Sequence, residues 1–183
     1  MLAPARRDRA DGGWWYTHHA SWRLDAPEGE LVRIYWSIGP AEVPLLVHRL
    51  SPVLVDLDTP WMLKCALTPA AYHRADAAVL FVSRGALDGL ADMVDSAAAD
   101  LSGVLRDTVP PLTLRAGRGV AVADDPGTDL SFGEHRCRLI AEGLLAAPDA
   151  DTLLDAVAER FRSAGIPPNR PYAAGETRSF PWQ

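Results

Sequence analysis

The sequence has little lysine, little cysteine and no long apolar run. Two cysteines, Cys65 and Cys137, in 183 residues are too few for a disulfide scaffold, and no Cys/His spacing suggests a zinc site. No run of about 18 apolar residues exists, so no segment is predicted to cross a membrane. The basic residues 1–11 lack the apolar stretch of a secretory signal. These absences favour a protein of the reducing cytoplasm.

The charge balance argues against nucleic acid as a partner. The net charge is −6, whereas proteins that coat nucleic acid usually carry basic surfaces. The sequence also lacks the G-x-x-x-x-G-K-[ST] order of a nucleotide-binding loop and the G-x-S-x-G turn of many hydrolases. No carboxylate cage for magnesium is evident in it. We therefore expect neither a metal ion nor an organic cofactor.

Lysine is the scarcest cation, because one lysine, Lys64, stands against seventeen arginines. A GC-rich genome produces such a skew without any functional cause. The same bias makes the surviving lysine informative, since an arginine can replace a lysine that only carries charge but not one that must lose its proton. Lys64 is therefore the candidate base, with compositional bias as the alternative explanation.

The apolar pattern predicts an α+β fold. Segments rich in β-branched and aromatic residues are predicted as strands, at 31–38, 61–67 and 77–83, with further strand candidates at 112–114 and 119–123. Amphipathic segments are predicted as helices, at 41–58, at 87–105, from 131 onward and at 149–164. This order predicts a mixed, largely antiparallel sheet with packed helices in a single domain. We expect a flexible lead-in at 1–27, the folded domain at 28–172 and a tail at 173–183.

The helix that begins near residue 131 carries two kinds of signal. Ser131 followed by Glu134 is a capping box. The apolar stripe of this helix is predicted from four residues, Cys137, Ile140, Ala141 and Leu144. Two arginines of the same helix flank this stripe on opposite sides, so only one of them is expected to face a shared site.

Arginines recur in the segments around Lys64. Arg33 and Tyr35 lie two residues apart on a predicted strand, so they share one face. The other candidates lie beside a strand, in a glycine-containing turn and on the capped helix: Arg74, Arg115, Arg136 and Arg138. Arginine forks bind phosphate oxygens bidentately, and a helix N-terminus adds free N–H groups. If the segments converge, these five arginines form a phosphate site within an acidic protein.

Each of these residues also has an ordinary structural explanation. An arginine beside a strand is commonly a solvated rim residue, and the arginines of the capped helix have Glu134 and Glu142 as nearby partners. Tyr35 fits equally well at the edge of a core. His73 and His135 fit as surface or hydrogen-bonded histidines.

Five sequence blocks resemble the HopA-type effector family. The blocks are Val32–Trp36, Leu63–Lys64, Tyr72–Phe81, Gly119–Pro126 and Ser131–Arg138. The most specific parts are Arg-x-Asp-x-x-Val-Leu in the third block and Ser-Phe-Gly-x-His-Arg-Cys-Arg in the last, and the similarity covers about residues 28–172. Members of this family occur as type III effectors of plant pathogens and in actinobacterial clusters for thioamitides and class V lanthipeptides.

The resemblance implies a phosphoserine/phosphothreonine lyase with the fold of phosphothreonine lyases. Biosynthetic members act on a precursor peptide after a separate kinase that resembles aminoglycoside phosphotransferases, and the products are dehydroalanine and dehydrobutyrine. More distant phosphothreonine lyases of animal pathogens have Lys-x-His where this chain has Arg33-Ile34-Tyr35, and a catalytic lysine where it has Lys64. The histidine acid of that pattern is absent here, so Tyr35 and His73 are the candidates for its role.

Two rival functions remain open at this point. A non-catalytic effector module that binds phosphopeptides would need the arginines but not Lys64. A scaffold that holds the kinase and the precursor peptide together would need neither. Turnover of a phosphopeptide distinguishes the three.

Overall fold

The computed structural model describes residues 6–22, 30–175 and 179–183. Seven strands form one sheet: β1 (Arg6–Asp11), β2 (Trp14–His19), β3 (Leu31–Trp36), β4 (Trp61–Ala66), β5 (Ala78–Ser83), β6 (Leu114–Gly117) and β7 (Val120–Asp124). Their order across the sheet is β1-β2-β4-β5-β3-β7-β6, and every pairing between them is antiparallel. The predicted single α+β domain with a largely antiparallel sheet is confirmed.

The register of the strands separates the side chains into two faces. Leu63 lies opposite Leu80, which lies opposite Ile34, and these three side chains are completely buried. One residue further along, Lys64 lies opposite Val79, which lies opposite Tyr35. Because successive side chains of a strand point to opposite faces, Lys64 and Tyr35 lie on the face away from Leu63 and Ile34.

Two helices cover the apolar face of the sheet. They are α1 (Val43–Val55) and α2 (Leu87–Asp100). Their buried leucines and valine join the strand residues in the largest hydrophobic cluster, through Leu46, Leu50, Leu54, Leu90 and Val94. The sequence predicts a break or kink at Pro52, and α1 continues past this residue to Val55. α2 ends at Asp100, five residues before the predicted end at 105. Among the described residues, no helix is long and apolar enough to span a bilayer.

The second face is covered only in part, by the hairpin of α3 (Phe132–Ala146) and α4 (Leu153–Ser163). The predicted capping box at the start of α3 is confirmed. The predicted apolar stripe is wrong, because the buried positions are Phe132, Arg136, Leu139 and Gly143. A Cβ atom on Gly143 would lie 2.6 Å from the Val157 Cα atom. Close approach of α4 therefore sets the rotation of α3 and turns Cys137 outward.

The lead-in predicted as flexible contains the β1–β2 hairpin in its described part. Gly12 and Gly13 connect these strands with φ angles of 56° and 82°. A two-residue turn with both φ angles positive matches the twist of a hairpin and strongly favours glycine. β2 then pairs with β4, with Tyr16 opposite Lys64. The hairpin therefore extends the sheet next to the strand that carries the candidate base.

The described residues of the predicted tail also pack on the domain. Ala173 and Phe180 are buried. The Trp182 indole N–H donates to an Asp95 carboxylate oxygen at 2.7 Å, and the Arg84 guanidinium carbon lies 4.1 Å from the centre of the Phe180 ring. The packed unit thus extends beyond 28–172 at both ends.

Candidate active site

A cleft of about 540 Å³ opens on the second face of the sheet, beside the start of α3. Its lining brings together five of the eight predicted site residues: Arg33, Tyr35, Lys64, Arg74 and Arg136. Adjacent strands supply the first three, because the β3 and β4 residues flank β5 in the same register. The loop before β5 supplies Arg74, and the first turns of α3 supply Arg136.

Lys64 lies half-buried in this cleft between aromatic rings. Its Nζ atom is 4.2 Å from the ring centre of Trp14 and 5.7 Å from that of Phe81. Among the described residues, no carboxylate forms an ion pair with this ammonium group. The faces of the rings attract a cation. Unlike a carboxylate, however, they do not hold the ammonium group in a hydrogen bond.

Burial and neighbouring charges lower the pKa of Lys64. Burial is the main cause that lowers its pKa below 10.5, and the positive charges of Arg33 and Arg74 act in the same direction. The carboxylates of Asp76 and Asp125 oppose the shift. A lowered pKa increases the fraction of free amine, which is the form that can accept a proton.

Arg33 and Tyr35 project from β3 into the same cleft. The Arg33 Nε–H donates to Asp125 Oδ2 at 2.6 Å, and the guanidinium carbon lies 5.2 Å from the centre of the Phe81 ring. Tyr35 is only 4% exposed, and burial raises the pKa of its hydroxyl to about 12 although the charge and hydrogen bond of Arg33 oppose the shift. Tyr35 therefore stays neutral at physiological pH and can donate a hydrogen bond.

Arg136 is the most unusual cation of the cleft, because it is 1% exposed. Its Nε–H donates to the Pro171 carbonyl at 2.7 Å, and its Nη1–H donates to His135 Nδ1 at 2.6 Å. The buried Nη2 atom has no hydrogen-bond partner, and no ion pair joins the guanidinium to a described carboxylate. Burial lowers the pKa of Arg136 to about 10, so it remains charged at neutral pH.

Arg74 is the exposed counterpart of Arg136 at the rim. Its side chain is 55% exposed and forms a two-pronged ion pair with Asp76, with N–O distances of 2.8 and 2.6 Å. Glu134 lies on the other rim, where its carboxylate accepts the Ser131 N–H and thereby caps α3. That capping lowers the pKa of Glu134, so this carboxylate stays ionised beside the arginines.

Three predicted site residues do not line the cleft. The Arg115 guanidinium donates to Asp107 Oδ1 at 2.9 Å, and Arg138 donates to Glu142 one helical turn away at 2.8 Å. His73 is exposed, and its Nδ1 is hydrogen-bonded to the Ala70 carbonyl. These positions do not support the predicted phosphate contacts of the two arginines or the predicted acid role of His73. On α3, only one of the two arginines faces the site, as the sequence predicts.

Comparison with known proteins places the chain in a family. The sequence pattern of the HopA1 effector protein family matches residues 8–173. The chain belongs to this family. The match begins twenty residues before the predicted boundary at 28 and includes the whole of β2. A search of curated proteins gives no significant match.

Solved structures to which this chain is similar include two effector proteins of Pseudomonas syringae. The effector of Pseudomonas syringae pv. tomato strain DC3000 superposes with a TM-score of 0.71 at 15% identity, and that of Pseudomonas syringae pv. syringae strain 61 with 0.63 at 20% identity. Each alignment covers 89% of this chain and 63% of the other, so the chain spans less than two thirds of those effectors. The phosphothreonine lyase OspF of Shigella flexneri aligns at 0.45 and 16% identity, over 67% of this chain and 71% of OspF.

The HopA1-family cleft also contains residues that the sequence analysis missed. Trp14 contacts the candidate base from a segment predicted to be flexible, although Gly12-Gly13 before an aromatic run is a hairpin signal. Asp125 pairs with Arg33 across the sheet, a contact that the sequence does not indicate. The pair of Arg74 with Asp76, two residues further along, is predicted from the sequence and confirmed. The Phe132 ring lies 4.7 Å from the Arg136 guanidinium, and the spacing of four residues on a predicted helix is the signal for this contact.

Proposed function

We propose that this protein eliminates phosphate from phosphoserine or phosphothreonine in a peptide, with Lys64 as the base. The observation that carries the proposal is that a half-buried lysine and a buried arginine line one cleft. Among the described residues, the lysine has no carboxylate partner and the arginine Nη2 atom has no hydrogen-bond partner. This arrangement supports a base and an anion site in one cleft of an acidic protein.

The reaction needs one proton transfer and one bond cleavage. The neutral Lys64 amine takes the Cα proton of the phosphorylated residue and becomes an ammonium group. The electron pair left at Cα forms the Cα–Cβ double bond. The Cβ–O bond breaks at the same time, and inorganic phosphate leaves with the electron pair of that Cβ–O bond. The products are a dehydroamino acid in the peptide and free phosphate. Lys64 then returns its proton to water.

The arginines supply the electrostatic part of this mechanism. Arg136 lines the cleft, is held by two hydrogen bonds and keeps one buried nitrogen, Nη2, without a partner. Its orientation is therefore fixed before a phosphate binds, which supports a role as a phosphate ligand. Arg33 and Arg74 add positive charge around the same cleft. Their carboxylate partners, Asp125 and Asp76, balance this charge until a phosphate dianion enters.

Tyr35 fits a hydrogen-bond donor better than a proton donor. A hydroxyl with a pKa of about 12 gives up its proton too reluctantly to serve as a general acid near pH 7. Phosphate leaves readily as an anion, so the elimination does not require an acid on the leaving oxygen. Tyr35 then stabilises charge that develops on the phosphate or on the substrate carbonyl.

The natural substrate within this proposal is a precursor peptide phosphorylated by a separate kinase. The support is the resemblance of the sequence blocks around Arg74 and Arg136 to members from thioamitide and class V lanthipeptide clusters. Those members imply a kinase similar to aminoglycoside phosphotransferases, and products that contain dehydroalanine or dehydrobutyrine. The cleft volume also suits one phosphorylated side chain with adjoining backbone.

The decisive experiment is a mass measurement on a synthetic phosphothreonine peptide incubated with the purified protein, without ATP or metal. We expect the peptide to lose one phosphoric acid, which leaves it one water lighter than the unphosphorylated peptide. Recovery of plain threonine peptide would indicate a phosphatase. If the peptide stays unchanged even when leader sequence and kinase partner are added, the lyase proposal fails.

Phosphopeptide binding without catalysis is the second candidate function. One observation favours it: the Trp14 ring lies 4.2 Å from the Lys64 ammonium, and this contact stabilises the charged lysine, which cannot act as a base. A binding module would retain the phosphopeptide unchanged and would tolerate Lys64→Arg. The mass measurement and that variant separate the two candidates.

A further inference from the structure

We propose that His135, which does not line the cleft, positions the phosphate-binding Arg136 and does so only as a neutral imidazole. The inference rests on the proposed function in one respect, that Arg136 contacts the substrate phosphate. It assigns to His135 a positioning role that depends on protonation state.

The hydrogen bond between the two side chains determines the form of the histidine. The Arg136 Nη1 atom lies 2.6 Å from His135 Nδ1. A guanidinium has donors and no acceptors, so Nδ1 must accept and cannot carry a proton. A ring turned by 180° would place a carbon atom at this distance, which is too close for a contact with nitrogen. His135 is therefore the neutral tautomer with its proton on Nε2.

This bond completes the support of a buried charge. Arg136 has five N–H donors on three nitrogens, and two of these nitrogens are engaged, Nε by the Pro171 carbonyl and Nη1 by His135. Phe132 lies below the guanidinium plane at 4.7 Å. With both partners in place, the guanidinium of this cleft-lining residue is held in one orientation, with Nη2 left without a partner. Without the His135 acceptor, Nη1 also loses its partner, and the guanidinium can rotate away from the phosphate position.

The charges around His135 oppose its protonation. It lies with Arg136 and Arg138 on α3, faces Arg160 of α4 and Asp129 of the preceding loop, and has Glu142 one to two turns further along its helix. Burial lowers the pKa of His135, the three arginines lower it further, and Glu142 opposes them. Protonation below pH 6.5 would give both ring nitrogens a proton and place two cations in contact. The Arg136 support is then lost.

Two substitutions test the acceptor. His135→Asn keeps an oxygen near the position of Nδ1 and cannot titrate, whereas His135→Leu keeps similar bulk without an acceptor. We expect His135→Leu to weaken binding of a phosphothreonine peptide about tenfold or more at pH 7.5, the effect of losing a hydrogen bond to a charged group. Asparagine should restore affinity to within about threefold of the native protein, as expected when the charge-assisted bond is kept.

The pH dependence provides the readout that a purely structural histidine would not change. Phosphate itself titrates near pH 6, so the useful quantity is the ratio of Kd values of native protein and His135→Asn at each pH. We expect this ratio to be constant above pH 6.5 and to increase below it, as the native histidine gains its proton. A constant ratio throughout the acid range would overturn the titration part of the inference.

Arg136→Met serves as the reference variant, and thermal unfolding of every variant checks that it is folded. The inference fails if Arg136→Met weakens binding and His135→Leu does not, or if asparagine binds as poorly as leucine. Failure of the lyase proposal looks different, because these affinities would then behave as expected while the peptide is never converted. If Arg136→Met leaves affinity unchanged, Arg136 is not a phosphate ligand and the role of His135 falls with it.

Discussion

The two faces of the sheet are built from the same strands and differ in almost every property. On the α1–α2 face, Leu63, Leu80 and Ile34 are completely buried in one hydrophobic cluster. On the other face, their sequence neighbours Lys64 and Tyr35 line an open cleft. Because strand side chains alternate, a shift of one residue in register would exchange core and site. The apolar face therefore fixes the register that holds the catalytic candidates in place.

The two arginines on the cleft side of the sheet, Arg74 and Arg136, differ in how their positive charge is balanced. Arg74 is exposed and has a carboxylate partner, whereas Arg136 is buried and forms no ion pair with any carboxylate in the described part of the chain. A buried cation without a counter-ion costs stability. We infer that a bound phosphate compensates this cost, which distinguishes Arg136 from the cations that serve the fold.

Loss of the base should have the largest effect. Lys64→Arg keeps the positive charge but cannot supply a free amine, so we expect elimination to fall by about 10²–10⁴-fold or more. Binding of the phosphopeptide should stay within about tenfold, because the arginines remain. Turnover and Kd of the same variant measure both quantities. If Lys64→Arg keeps near-native turnover, another group is the base.

A core substitution should act on stability and leave the chemistry intact. Leu80→Ala on the α1–α2 face should lower the free energy of unfolding by about 2–5 kcal/mol, because it opens a cavity in a fully buried cluster. Leu154→Ala is the matched control, since this leucine of α4 is 83% exposed and should change stability by no more than about 0.5 kcal/mol. Urea titration compares them. Equal losses would contradict the assignment of the two environments.

The two arginines of α3 give the next contrast. Arg136→Met should cost about 2–4 kcal/mol in kcat/KM, because a charge-assisted contact is lost in an enclosed site. Arg138→Met, two residues away and paired with Glu142 at the surface, should leave kcat/KM within about threefold, as expected for an exposed ion pair. Steady-state kinetics on both variants settle the contrast. A comparable loss from Arg138→Met would mean that the phosphate contacts extend outside the cleft.

The sequence predicts the strands of the core well because their apolar residues must be buried wherever they pair. The strands predicted at 61–67 and 77–83 agree closely with β4 and β5. The shared face of Arg33 and Tyr35 follows from the strand period alone. These predictions depend only on the local pattern of side chains along a strand, and packing does not change that pattern once the strand is buried.

Other features could not be predicted because long-range packing decides them. The rotation of α3 depends on the contact between Gly143 and Val157 of α4, so its buried stripe includes an arginine in place of Cys137. The role of Trp14 depends on the pairing of β2 with β4. Arg115 lies outside the cleft because β6 is the edge strand of the sheet, two positions from β3, and there its side chain pairs with Asp107.

The two cysteines report on the two faces directly. Cys65 is buried and burial raises the pKa of its thiol to about 12, so it should resist alkylation in the folded protein. Cys137 is exposed and lines the cleft, so iodoacetamide should modify it. A saturating phosphopeptide should slow this modification several-fold, roughly in proportion to occupancy. Peptide mapping by mass spectrometry follows both sites, and unphosphorylated peptide is the control. Equal protection by the phosphorylated and the unphosphorylated peptide would show that binding at the cleft does not depend on a phosphate contact.

The smallest expected effect is a pH-dependent change in stability at Lys64. Its pKa is lower in the folded protein than the ordinary 10.5 of an unfolded chain, mainly through burial. Between the lowered value and 10.5, the unfolded chain binds more protons, so the free energy of unfolding contributed by Lys64 rises with pH. Below this window the buried ammonium destabilises the fold, and above it the penalty is gone.

Lys64→Met removes the penalty at every pH. The variant should therefore be slightly more stable than the native protein at pH 7, and this advantage should shrink as the pH rises toward 10.5. Denaturant titrations of both proteins across that range measure the difference, in which the titration of Tyr35 and other groups largely cancels. An advantage that stays constant with pH would show that Lys64 titrates normally, and an amine with an ordinary pKa would make a poor base at neutral pH.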